Sequence, residues 1–331
     1  MNARGLALVI TAAMVAAWAL SAMPPVQITV NSPGPAPVEA RTAPGVPVAA
    51  QEAAEPPTEA ASPPAIADAE PYAPSAVLAA PEEAAPFSRP GPAAIAVPGS
   101  RAIDMPILIY HTIRPGPPPA SQMARWLTVT PEAFEQQLKF LKDNGYHSIS
   151  FSQLADFLEK GIALPDRPAI ISFDDGWDNQ FVYGYPLLLK YGFGATFFVV
   201  TNYLDRPNFM TIEQLKTMIA NGMAIGAHTR SHPALAGIGN PHKQWDEIAG
   251  SKSFLEERLG VAIDTFAYPY GSYNAAVEAM VKAAGFRTAR TVNFGTHYTA
   301  DDLATLAGLT FPIYVNHYRG KVELTAHEMA R

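Results

Sequence analysis

Residues 169–176 read AIISFDDG: five apolar or small residues, then two adjacent aspartates and a glycine. The apolar run is short, rich in isoleucine and free of polar alternation. That is the pattern of a strand covered on both faces of a parallel sheet. Asp174 and Asp175 then stand at its carboxyl end. Neighbouring carboxylates repel one another and are costly to take out of water. A solvated turn removes that cost with water; a metal ion removes it with charge.

Working outward, the same punctuation recurs. Met105–Tyr110, Ala195–Val200, Met223–Ala227, Thr265–Tyr268 and Ala289–Val292 read as strands, and His147–Phe151 as another. Between them lie helical patterns. One opens at Thr130-Pro131, with threonine as N-cap and proline at the first helical position, and stops at Gly145. Others are expected at Ser152–Lys160, Asp178–Tyr191, Thr211–Asn221, Lys243–Leu259 and Ala275–Ala284. Alternating strands and helices without a dinucleotide-binding glycine signature predict an α/β barrel, with an open doubly wound sheet as the alternative.

In a parallel barrel the chemistry sits at the carboxyl ends of the strands. His111 follows ILIY there, His228 follows AIGA with His232 four residues on in HTRSH, and Tyr268-Pro-Tyr-Gly271 follows TFA. Each has an ordinary explanation alone: a turn, a chance histidine spacing, a satisfied core histidine. Jointly they point to a shared site. Two imidazoles and one carboxylate make a catalytic zinc set with positions left open. One aspartate of the doublet can bind such a metal while the other stays free as a base.

The rest of the composition narrows the classes. The 331 residues carry a formal net charge of -7 and no cysteine. Disulfides, thiolate metal sites and cysteine nucleophiles are therefore absent. Between Met23 and Ser100 eight acids face two arginines, and no basic field exists for nucleic acid. Arg4 precedes an uncharged run, Gly5–Ala22, long enough for a signal peptide or an N-terminal membrane anchor. From Pro24 onward the chain is Pro, Ala and Glu, with more than half of its 32 prolines. Such a stretch cannot bury enough surface to order itself. The expected organisation is 1–23 signal or anchor, 24–101 a disordered linker without core contacts, and 102–331 a catalytic domain. The expected location is exported: periplasmic, cell-envelope or extracellular.

FDDG, HTRSH and YPYG in this order resemble the first three motifs of the polysaccharide deacetylase family, the NodB homology domain of carbohydrate esterase family 4. The FDDG and HTRSH motifs together are specific, and the variants YHTI and YPYG are closest to the branch acting on poly-beta-1,6-N-acetylglucosamine. The resemblance implies an irregular (β/α) barrel of about seven parallel strands. It implies hydrolysis of N-acetyl groups from an amino-sugar polymer such as poly-N-acetylglucosamine, chitooligosaccharide or peptidoglycan. It assigns Asp174 as general base, and Asp175, His228 and His232 as ligands of zinc or another divalent cation. The Tyr270 backbone amide would face the developing oxyanion.

Two departures stand out. The family's third motif carries an arginine two residues before its proline, where this chain has Ala267. Arg230 and Arg290 are the candidate replacements by strand-end position. The family's last motif places an acid histidine after an apolar strand near the C-terminus. His317 and His327 do not follow such a strand, whereas His111 does, at the start of the domain. A closed barrel can be entered at any strand, so His111 is the expected general acid. The rival readings are an O-acetyl esterase on xylan or another glycan, and a catalytically silent glycan-binding module.

Overall fold

The computed structural model describes residue 87 and residues 101–310. The apolar run Gly5–Ala22, nearly all of the linker, His317 and His327 lie outside the described residues.

Eight strands run in parallel: β1 Ile107–Tyr110, β2 His147–Ser148, β3 Pro168–Phe173, β4 Thr196–Val199, β5 Ala224–Ala227, β6 Thr265–Ala267, β7 Thr288–Phe294 and β8 Leu306–Thr310. Their order is β1-β8-β7-β6-β5-β4-β3, and β1 also pairs with β3, which closes a seven-stranded barrel. The closing register sets Ile107 beside Ile170 and Tyr110 beside Phe173. The short β2 pairs with the first residues of β3. Two minor pairs flank the barrel, Ala102–Asp104 with His297–Thr299 and Thr112–Ile113 with Thr128–Val129.

The strand residues alternate between two clusters, as a period of two requires. Leu108, Tyr110, Ile171, Phe173, Phe197 and Phe266 join the larger core beneath the helices. Ile107, Ile170, Phe198, Ala267 and Leu306 form a second core with helix Phe151–Lys160. Both sets are almost wholly withdrawn from water, consistent with runs that lack polar alternation.

Local chemistry explains most boundaries. Thr130 Oγ1 accepts from Ala133 N at 3.2 Å, and helix Pro131–Asp143 follows. The strand expected over His147–Phe151 stops at Ser148, because Ser150 and Gln153 form a reciprocal capping box that starts a helix at Phe151. The helices expected at Asp178–Tyr191 and Lys243–Leu259 each contain a π-helical turn, Gln180–Gly184 and Asp246–Gly250. Strand β8, LAGLT, escapes the sequence pattern because small residues interrupt it. Its Gly308 is required by packing: a Cβ there would stand 2.7 Å from Ile109 Cδ1.

Phe87, inside the linker, packs on the barrel. A Cβ on Gly194 would lie 2.5 Å from Phe87 Cδ1. Phe87 lines a cleft with Thr196, Ala224 and Thr265, the first residues of β4, β5 and β6. This is the amino end of the barrel, opposite the strand ends where the polar residues gather. Among the described residues, no helix is long and apolar enough to cross a membrane.

Candidate active site

The carboxyl ends of β3 and β5 bring Asp175, His228 and His232 together, with one potential ligand atom from each lying within 4.8 Å of the others. Asp175 Oδ1 is 3.3 Å from His232 Nε2 and 3.7 Å from His228 Nε2, and the two Nε2 atoms are 3.2 Å apart. The other nitrogen of His228, Nδ1, lies 2.7 Å from the Ala267 carbonyl oxygen. That carbonyl can only accept, so Nδ1 carries the proton and the Nε2 lone pair faces the cluster. Burial, followed by the neighbouring His232, lowers the His228 pKa to about 4. Burial also lowers that of His232. Both imidazoles are therefore neutral near pH 7, the form that donates to a cation. This donor set fits a divalent metal.

The backbone is bent to make this set. Asp175, Thr229, His232 and Tyr270 have φ of 75°, 66°, 62° and 57°, and only three other non-glycine residues described are positive. Such strain concentrates where surrounding contacts over-determine the chain. Gly176 continues the turn at φ 81°, where a Cβ would come within 3.1 Å of Val199 Cγ1. Hence the glycine of FDDG.

Asp174 points elsewhere. It is buried, with His111 Nε2 3.6 Å from its Oδ2 and the Arg290 guanidinium bonded to its Oδ1. Burial pushes its carboxyl pKa up, but the charges of Arg290 and then His111 outweigh burial and hold it below the ordinary range. The aspartates of the doublet thus have separate partners, because the left-handed φ of Asp175 turns its side chain away from that of Asp174.

The arginine absent at Ala267 comes from the adjacent strand. Arg290 is paired in register with Ala267, so its side chain enters the barrel at the same level. Arg230, the other candidate, instead reaches outward to Asp246 at 2.9 Å. It is not the replacement. The Tyr270 ring leans on His232, with centroids 4.6 Å apart.

Residues 161–289 match the family described as polysaccharide deacetylase. That stretch resembles a polysaccharide deacetylase domain. It is 30% identical to YxkH of Bacillus subtilis over 191 residues, 58% of this chain and 65% of that protein. It is 29% identical to the poly-beta-1,6-N-acetyl-D-glucosamine N-deacetylase of Staphylococcus aureus (strain MRSA252) over 176 residues, 48% of this chain and 59% of that protein. The chain thus spans less than two thirds of either relative. Among solved structures, the Streptococcus pyogenes deacetylase PplD in complex with acetate superposes with a TM-score of 0.59 at 29% identity, covering 63% of this chain and 92% of that one.

Three further residues within the 161–289 stretch hold the site in place. Trp177 Nε1 donates to Asp175 Oδ2 at 3.0 Å, leaving Oδ1 toward the histidines. Gln180, on the first π-helical turn, donates its amide to the carbonyls of both His111 and Asp174, each at 2.6 Å. One buried side chain thereby links the ends of β1 and β3. Glu247, on the second π-helical turn, accepts from the backbone of Arg230 and Ser231. Trp177 alone had a sequence signal, its place beside the doublet. The other two look like ordinary polar helix residues.

Proposed function

We propose that the chain is an exported, metal-dependent N-deacetylase of an amino-sugar polymer. The observation that carries this reading is the division of labour at the strand ends. Three neutral or anionic donors converge on one point, while a separate carboxylate sits between an arginine and a histidine.

Asp175, His228 and His232 would hold the cation, with zinc the best match to two imidazoles and a carboxylate. When bound, it supplies Lewis-acid polarisation of the acetyl carbonyl and of the attacking water. Asp174, kept ionised by Arg290, accepts a proton as the water oxygen bonds to the acetyl carbon. The Tyr270 backbone amide donates to the oxygen on which negative charge builds. His111, with its Nε2 3.6 Å from Asp174, gives a proton to the amine nitrogen as the carbon–nitrogen bond breaks. Acetate and a free amino sugar are the products.

The buried pair of Arg290 and Asp174 favours an enzyme over a silent binding module, since a module needs no ionised carboxylate held at the strand ends. Poly-beta-1,6-N-acetylglucosamine, the polymer named for the staphylococcal relative, is the first substrate to test. The test is acetate release by the purified chain from that polymer, chitooligosaccharides, peptidoglycan and acetylated xylan, with and without added zinc. Release from none of the amide substrates refutes the proposal; release from xylan alone makes the chain an O-acetyl esterase. The apolar run at Gly5–Ala22 supports export, and cell fractionation tests it: a cytoplasmic chain would refute that part.

A further inference from the structure

The loop bearing both histidines takes a path that a chain does not hold unaided. Thr229 and His232 sit at φ 66° and 62°, and the left-handed region is unfavourable for a β-branched threonine. Inside the loop, Thr229 Oγ1 accepts from His232 N at 2.9 Å. From outside, a single carboxylate grips the residues between the histidines. Glu247 Oε2 accepts from Arg230 N at 2.9 Å and Ser231 N at 2.8 Å, and Oε1 accepts from Ser231 Oγ. Glu247 is 5% exposed. A buried carboxylate is costly unless hydrogen bonds compensate it, and these three bonds all come from one short stretch of loop.

The helix that delivers Glu247 is shaped for the contact. Its π-helical turn, Asp246–Gly250, lies between Pro241–Trp245 and Ser251–Leu259. Such turns insert a residue and re-aim side chains. Gly250 completes the fit: a Cβ there would stand 2.8 Å from Asp246 Oδ1 and 3.0 Å from Arg230 Cδ. The turn therefore lies directly against the loop.

We propose that Glu247 is a positioning residue for the metal centre, holding the 228–232 loop so that His228 and His232 present their Nε2 atoms together. The inference rests on the reading of Asp175, His228 and His232 as metal ligands. Outer contacts that orient ligands typically govern metal affinity by about 10- to 100-fold. Glu247 touches no ligand side chain. It acts through the backbone amides of the two residues that precede His232.

The test is calorimetric titration of the full chain with zinc alone, with the melting temperature of the zinc-free protein measured in parallel. Glu247→Ala is expected to weaken zinc binding about 10- to 100-fold. Glu247→Gln is expected to recover most of it, because its amide oxygen accepts from both backbone N–H groups and its amide donates to Ser231 Oγ. Ser231→Ala, which removes one of the three bonds, is expected to cost about fivefold. Zinc affinity equal to wild type in Glu247→Ala, with only the melting temperature lowered, overturns the inference and makes Glu247 a structural residue. If Glu247→Ala does not fold, wild-type affinity in Ser231→Ala overturns it equally. A wild-type chain that binds no zinc refutes the metal reading and this inference with it. Wild-type binding with an unaffected Glu247→Ala refutes this inference alone.

Discussion

Arg290 and Asp174 are 116 residues apart in the chain and form an ion pair inside the barrel, with both side chains almost wholly buried. Arg290 enters from β7 at the level of Ala267 on β6, and its ring neighbour is Phe198, 5.2 Å from the guanidinium carbon. The pair sets the charge state of the proposed base, because burial alone would raise the Asp174 pKa.

Arg290→Met therefore moves the acidic limb of the pH–rate profile to higher pH. In the wild type the carboxylate is lost only as pH falls through its depressed pKa. Without the guanidinium, burial dominates and the carboxylate is protonated earlier. The stability effect has the same sign. A depressed folded pKa contributes stability above the unfolded value, which disappears as pH falls through the folded value. Breaking a buried pair costs about 3–5 kcal/mol. Rates across pH at saturating zinc, with urea unfolding alongside, check both. An acidic limb unmoved in the variant would show that Arg290 does not tune Asp174.

The adjacent aspartates should fail differently. Asp174→Asn keeps the metal and loses about 100- to 10,000-fold in rate, since asparagine cannot take the proton. Asp175→Asn weakens zinc binding, because a charged ligand becomes neutral. Metal content and kcat measured on both variants separate the roles, and identical defects would refute the division.

His111→Ala should retain zinc, with amide hydrolysis suffering more than ester hydrolysis. An alkoxide leaves without the proton that an amine requires. Near-normal amide hydrolysis in this variant would remove His111 as the acid and leave His317 and His327 as the candidates.

Gln180→Ala should lower kcat by about 10- to 100-fold with zinc content unchanged, because the ends of β1 and β3 lose their common tie and small displacements of reacting groups are costly. A variant with normal kcat would show that barrel closure alone sets the spacing of His111 and Asp174.

Phe87→Ala should lower the melting temperature of the full chain by about 2–4 °C, the shift for about 1 kcal/mol in a domain of this size. Activity on soluble oligomers should stay unchanged, because Phe87 sits at the end of the barrel opposite the site. An unaltered melting temperature would mean that the ring on Gly194 contributes nothing to stability.

Much of this was legible in short stretches. AIISFDDG announces a buried strand with polar groups at its end, and Thr130-Pro131 announces a helix start, because burial pattern and capping are properties of neighbouring residues. The same holds for HTRSH, whose two imidazoles need only a bend to meet. Strand β8 was less legible, since LAGLT owes its place to the gap it fills beside Ile109. Gln180 and Glu247 were not legible at all. Nothing in their surroundings says that one reaches two carbonyls just past the ends of different strands and the other a loop 16 residues upstream.

The local order of residues was sufficient to determine the parallel strands, the helix caps and the types of donor that stand at the strand ends. Only the closed barrel decided which of them meet. Ala267 lacks the arginine, and register between β6 and β7 supplies Arg290 at the same height. His111 begins the domain, and the pairing of β1 with β3 sets it beside Asp174. Side-chain chemistry is written residue by residue. Proximity between distant residues depends on strand order, register and the inward or outward sense of each position, and those are settled only when the whole barrel packs.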